Sequence, residues 1–252
     1  MRPTAQTVTS ENDYSANRLL VALGRRDRAL IEPYLVLKFV GRGQVLFEPG
    51  EDVEITYFPC RGTMGSWLVV SADGREVEAA TIGREGAIGG IVSAGHKPAF
   101  GRAVIQIGGP SFSVPTARLE DAKRRSHVFH DLFSRYADAL LAQMMQSVAC
   151  NALHSIEARC SRWLLSAHDR VGQSAIPLTQ EALAEMLGVQ RTTVTAVARA
   201  LQARGLIRYA RGRVEILNRR GIEEAACECY SAVEGHFERL LPEAADENSD
   251  AS

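Results

Sequence analysis

Cysteine is scarce in this chain and follows no framework. Cys60, Cys150, Cys160, Cys227 and Cys229 are the five in 252 residues. An odd count at irregular spacing excludes a disulfide-stapled secreted module and fits a reducing cytoplasm. None falls in the first 59 residues, so an N-terminal iron–sulfur cluster would lack its thiolates. Cys227 and Cys229 are two apart, which on a helix points them opposite ways. They make a poor zinc pair without further local ligands. Cys150 and Cys160 read as core or interface thiols. No metal and no cofactor is expected.

Long apolar runs are missing too, so no membrane span is expected. The opening Met1-Arg2-Pro3-Thr4 lacks the apolar core of a signal peptide. Catalytic patterns are absent: no Walker loop, no His-Glu-x-x-His, no nucleophile elbow and no paired-carboxylate signature. An enzyme is therefore not expected. The polar residues 1–15 and 241–252 are expected to be disordered. The remaining length suits two domains.

What is present is concentrated at 177–221. Thr179 precedes a periodic segment, with Glu181 and Glu185 in its early turns, and its hydroxyl can cap a helix. Leu183, Met186 and Leu187 form one apolar face. Gly188 supplies the turn and Val189 tucks inward. A second helix runs from about Gln190 to Ala203, with Val194, Val197, Ala198 and Leu201 inward. Its N-terminal polar face carries Gln190, Arg191, Thr192, Thr193 and Thr195. Gly205 closes it. Leu206 to Tyr209 and Arg213 to Leu217 alternate as two strands around Arg211-Gly212. The order is helix-turn-helix plus wing. Such a second helix presents its N-terminal end to base edges in the major groove. Arg191 suits guanine, and threonine methyls suit thymine. Arg199 lies one turn on, placed for a phosphate. Thr179, Gln180 and the wing residue Arg211 complete the DNA-facing set.

Charge follows the same map. Residues 177–221 hold eight arginines against three glutamates, a net +5 in a chain that is −1 overall. Positive charge gathered on one module of an acidic chain is the footprint of a nucleic-acid site.

Residues 35–115 read as short strands broken by turns: Leu35 to Val40, Val45 to Phe47, Glu54 to Pro59, Thr63 to Val70, Glu76 to Ile82, Arg102 to Ile107 and Phe112 to Val114. Glycine-bearing turns separate them, Gly108-Gly109-Pro110 being the last. Even spacing of short strands suggests a small barrel or roll. From Ser126 to Asn151 no Gly or Pro intervenes. Phe129, Phe133, Tyr136, Leu140, Met144 and Val148 form a helical stripe, with Leu132, Leu141 and Met145 alongside. One flank suits the roll and the other a partner subunit. A hinge near Asn151 to Ser155 leads to Ala158–Ala167, with Trp163 and Leu164 as core.

The run Leu178-Thr179-Gln180-Glu181-Ala182-Leu183-Ala184-Glu185-Met186-Leu187-Gly188-Val189-Gln190-Arg191-Thr192-Thr193-Val194-Thr195, then Leu201-Gln202-Ala203-Arg204-Gly205-Leu206-Ile207, resembles the winged helix of bacterial Crp/Fnr transcription regulators. Gly43-Gln44-Val45-Leu46-Phe47-Glu48-Pro49-Gly50-Glu51 is similar to the opening of their cyclic-nucleotide-binding roll. The resemblance runs from about residue 18 to 230. It implies an α+β chain: an N-terminal β-roll sensor (18–125), a long dimerisation helix and hinge (126–155), and a C-terminal winged helix-turn-helix (156–230). It also implies a homodimer on a palindromic operator, with double-stranded DNA, RNA polymerase and an unidentified small-molecule effector as partners.

The nucleotide pocket that the resemblance implies is degenerate. Nucleotide-binding members place a Glu where Gly90 stands here, after Gly89, and a hydroxyl residue where Ala103 follows Arg102. A buried phosphate needs several paired donors and a ribose needs its acceptor, so cyclic AMP is not expected to bind. Arg102 reads as a salt-bridge residue. Gly83, Gly86, Gly89 and Gly90 suggest either a phosphate cradle or simple β-turns. His96, the single histidine of the roll, reads as a solvent-exposed loop residue rather than a haem ligand. The alternative function is a small-molecule-binding protein or enzyme with an accessory helical domain.

Overall fold

The computed structural model describes residues 6–7, 11–92, 96–173 and 175–241. Strands β1 (Gln6–Thr7), β2 (Val36–Val40), β3 (Val45–Phe47), β4 (Ile55–Pro59), β5 (Met64–Val70), β6 (Glu76–Ile82), β7 (Arg102–Ile107) and β8 (Gly109–Pro115) make two four-stranded antiparallel sheets. Their orders are β1-β2-β8-β4 and β3-β7-β5-β6. Phe58 and Phe112 from one sheet share a buried core with Ala103 and Ile105 from the other. This is the expected roll. One turn differs: Gly109 and Pro110 already belong to β8, paired with Val40 and Phe39. A proline is tolerated near a strand's start because only its carbonyl is asked for, and the Pro110 carbonyl accepts from the Thr63 hydroxyl at 2.7 Å.

Helices α1 (Arg18–Ala22) and α2 (Arg25–Arg28) precede β2. Before them, Glu11–Ala16 forms a 3-10 turn. Disorder was expected through residue 15, yet Tyr14 is 2% exposed. Its ring lies 5.5 Å from that of Phe112 and under the Arg28 guanidinium. One aromatic in a polar segment found an apolar slot. Leu241 at the other end is likewise buried in the roll's core. Residues 1–5, 8–10 and 242–252, also expected to be disordered, lie outside the described residues.

After α3 (Thr116–Arg125) comes the long α4 (His127–Leu153). The Ser126 hydroxyl caps it, accepting from the Phe129 amide at 3.0 Å. The apolar stripe divides. Phe129, Leu132, Phe133, Tyr136 and Leu140 are buried in the chain's own roll. Leu141, Met145 and Val148 are 52%, 65% and 72% exposed. Leu140 lies on the flank that faces the roll, at 1% exposed within its own chain, and Met144 packs against the same core.

Ser155 caps α5 (Ile156–Val171). Then follow β9 (Ala175–Pro177), α6 (Gln180–Leu187), α7 (Arg191–Ala203), β10 (Ile207–Ala210), β11 (Arg213–Ile216), α8 (Arg219–Ala225) and α9 (Cys229–Leu240). Trp163 and Leu164 fill a second core, which also takes in Met64, Leu68 and Ile107 from the roll. Trp163 Nε1 donates to Glu78 at 3.0 Å. α9 had no counterpart in the sequence reading. It turns back so that Val233 and Phe237 join the roll's core, and Arg135 of α4 donates to the Leu240 carbonyl at 2.8 Å.

Candidate nucleic-acid interface

The helix pair assembles as its residues require. The Thr179 side chain accepts from the Ala182 amide at 3.2 Å and opens α6. Gly188 ends it at φ +65°, a left-handed backbone that an L side chain resists. Leu183, Met186 and Leu187 of α6 pack with Val194, Val197 and Leu201 of α7. Gln190 stands at the N-cap of α7. Burying that face turns the opposite one outward: Gln190, Arg191, Thr192 and Arg199 are exposed, and Thr193 is half-buried.

Two expected contacts are occupied within the protein. Thr195 donates to the Gln180 side chain at 2.7 Å, so this pair serves as a clasp between α6 and α7. Arg191 pairs with Glu181 at 2.9 Å. Both side chains are more than half exposed, and such a pair contributes about 0–1 kcal/mol, so Arg191 exchanges readily to another partner. Thr179 also receives Arg42 of the roll at 3.4 Å.

The wing has a third strand that the sequence reading missed. The sheet order is β10-β11-β9, with Val214 opposite Ile176. At its tip Arg211 and Gly212 have φ of +51° and +70°. A two-residue hairpin turn with both central residues at positive φ matches the twist of the strands. Tyr209 anchors the hairpin: its hydroxyl donates to the Leu178 carbonyl at 2.8 Å, and its amide donates to Gln202. Burial pushes the Tyr209 phenol up to about 12.

The positive footprint is smaller than the residue count implied. Arg204 pairs with Glu157, Arg208 with Glu215, and Arg220 with Glu224. Arg219 holds Asp169 and Glu223 and donates to the Tyr230 hydroxyl. Burial alone would push the Asp169 carboxyl up, but the Arg219 and Tyr230 hydrogen bonds bring it below the ordinary range. Among the described residues, Arg199, Arg211 and Arg213 are exposed, and their side chains make no hydrogen bond or ion pair. These free cations lie on α7 and the wing.

Gly89 and Gly90 lie against side chains of the roll and of α4, and Arg102 is held by two carboxylates. Arg102 pairs with Glu48 at 2.8 Å and with Glu76. A Cβ on Gly90 would meet the Phe133 ring at 2.9 Å, and one on Gly86 would meet the Tyr136 hydroxyl at 2.4 Å. These glycines let α4 approach the roll closely. Nearby is a cavity of ≈ 570 Å³ lined by Phe47, Trp67, Ile91, Phe100 and Met144, with Gly89 and the exposed His96 also on its wall. Neither Gly90 nor Arg102 lines it. No described helix is long and apolar enough to cross a membrane.

A strand roll and a long helix thus precede a three-stranded winged helix-turn-helix. Residues 158–225 match the family model described as a Crp-like helix-turn-helix domain. Among solved structures the chain is similar to FixK2 from Bradyrhizobium japonicum, at 16% identity and a TM-score of 0.62, covering 77% of this chain and 98% of that one. It is similar to TTHB099, a CRP-family transcriptional regulator from Thermus thermophilus, at 19% identity and 0.59, covering 75% and 96%. It is also similar to the c-di-GMP-responsive global regulator CLP from Xanthomonas campestris, at 17% identity and 0.55, covering 76% and 97%. No curated protein matches the chain. Residues 158–225 are thus a Crp-like helix-turn-helix domain, carried on the fold of the Crp/Fnr transcription regulators.

Proposed function

We propose that the protein is a cytoplasmic, homodimeric transcription regulator that reads a two-fold symmetric DNA operator and does not respond to cyclic AMP. The observation that carries the reading is the free cation set. Arg199 on α7 and Arg211 and Arg213 of the wing have exposed, unpaired side chains on a helix-turn-helix of Crp type. In this arrangement Gln190, Arg191, Thr192 and Thr193 reach base edges, while Arg199 and Arg211 hold phosphates. Thr179, Gln180 and Thr195 position the helices, with Thr179 and Gln180 beside the backbone. The exposed Leu141, Met145 and Val148 follow a heptad-like spacing on α4 and pair with the same residues of a second copy. That places two recognition helices about 34 Å apart, one DNA turn. RNA polymerase is the further partner of such a regulator.

The apolar cavity supports an apolar effector rather than a nucleotide. It favours the second reading, a small-molecule-binding protein, only as the sensor half of the first. The deciding experiment is selection of genomic fragments by the purified chain, followed by mobility-shift titration. Saturable binding to a palindromic site, weakening steeply with salt, is the expected result. Retention of no fragment above background at low salt would end this proposal.

A further inference from the structure

The chain brings four soft metal donors together at the end of α4. Cys150 lies on its last turns, and His154 follows at the C-cap, one turn on. Cys227 sits in the link after α8, and Cys229 opens α9. On one helix the two would diverge, and without further ligands they would make a poor pair. Here Cys227 precedes the helix, and Cys150 of α4 and His154 at its C-cap add two donors. The sulfur atoms and a ring nitrogen all lie within 4.8 Å of one another. Cys150, Cys227 and Cys229 are 0%, 8% and 0% exposed.

The spacings fit one ion. Cys150 Sγ is 3.5 Å from Cys227 Sγ, and Cys229 Sγ is 3.4 Å from His154 Nδ1. Around a tetrahedral zinc the sulfur–sulfur edge is about 3.8 Å and the sulfur–nitrogen edge about 3.5 Å, from bonds of about 2.3 and 2.0 Å. An iron–sulfur cubane ligates its cysteines through separate irons, so it would spread the sulfurs further apart.

The groups around the donors also belong to a metal site. His154 Nε2 is 3.1 Å from the Glu228 carboxylate, which leaves Nδ1 facing the sulfurs. A carboxylate behind a ligating histidine fixes its tautomer and raises its basicity. Gln146 donates to Cys229 Sγ at 3.0 Å. Arg159 and Arg162 lie close enough to act on the thiols through charge, which offsets the single negative charge of three thiolates on a divalent ion. Buried cysteines with a packing role alone have apolar neighbours; here each sulfur faces another donor.

We propose that Cys150, His154, Cys227 and Cys229 bind one zinc ion in a closed, four-coordinate site. Four protein ligands leave no open position, so the site is structural. It staples the end of the long helix to the start of α9, beside the hinge into α5.

The test uses the full chain and does not depend on DNA binding. Zinc is measured per chain after purification and dialysis. The metal-free, freshly reduced chain is then titrated with cobalt without oxygen. We expect one zinc per chain, and one equivalent of cobalt giving intense tetrahedral visible bands with a thiolate charge-transfer band. Cys227→Ser should lose them and Cys160→Ala keep them. Should Cys227→Ser fail to fold, the exposed Glu228→Gln decides: it should keep the spectrum and bind about 10–100-fold more weakly. Absence of a thiolate–cobalt band in the reduced chain, a six-coordinate spectrum, or unchanged uptake by both Cys227→Ser and Glu228→Gln overturns the proposal.

Discussion

Arg170 Nε meets Glu85 Oε1 at 2.7 Å, with the two side chains 4% and 11% exposed. Glu85 follows β6 in the roll, and Arg170 lies in α5 beneath the winged helix. The Gly83 amide donates to the same carboxylate oxygen at 2.9 Å, and Glu234 of α9 stands 3.9 Å from the guanidinium. Desolvating both charges offsets much of their attraction, so the pair adds little over a well-packed apolar contact. Removing one partner strands the other.

Glu85→Ala should therefore destabilise the chain by roughly 3 kcal/mol, the low end of the range for a broken buried pair, because Glu234 remains near. Glu85→Leu combined with Arg170→Leu should recover most of that loss. Denaturant unfolding of the two variants measures it. An Ala variant with the wild-type midpoint would show that water reaches Arg170.

Arg191→Ala should weaken operator binding by roughly 1–3 kcal/mol and relax preference at one base pair in each half-site. Glu181→Gln, which removes its exposed partner, should leave affinity equal or improved. Binding to a library randomised at each half-site position reads both effects. A variant with the wild-type preference at every position would remove Arg191 from base readout.

Arg211 is a rare non-glycine residue at positive φ, a backbone that costs an L side chain roughly 1–2 kcal/mol. Arg211→Gly should thus stabilise the fold by up to about 1 kcal/mol while weakening DNA binding. The slope of log affinity against log salt should fall by about one. Opposite signs in thermal unfolding and mobility shift are the signature. A salt slope equal to the wild type would place the wing tip off the phosphates.

Met145→Glu puts a charge into the exposed apolar seam of α4 and should give a folded monomer with much weaker operator affinity. Leu140→Ala lies on the other face and should instead cost about 2–5 kcal/mol of fold stability with the dimer retained. Sedimentation and circular dichroism separate the two outcomes. A wild type that sediments as a monomer at micromolar concentration contradicts the assembly.

Cyclic AMP should bind no more tightly than about millimolar, the affinity that ~4 kcal/mol supplies. Arg102 is engaged by Glu48 and Glu76, and the nearby cavity has an apolar lining. Calorimetric titration checks this. A micromolar dissociation constant lost on Arg102→Ala would mean that the nucleotide displaces both carboxylates.

The amino-acid sequence by itself determined the features that depend on neighbours along the chain. The Thr179 cap, the Gly188 turn, the strand bounds at Val45–Phe47 and Glu76–Ile82, and the Arg211-Gly212 hairpin are settled within a few residues. Backbone hydrogen bonding and the periods of helix and strand act at that range. Tertiary structure decided the rest. Leu140 and Leu141 are adjacent and equally apolar, and only packing on the roll makes one core and the other surface. Glu157, Asp169 and Glu223 neutralise arginines that a count left free. Cys150 and Cys227 are 77 residues apart yet in contact. Periodicity shows that a face is buried but not what covers it, because the covering partner is selected by shape and by the return of distant segments such as α9.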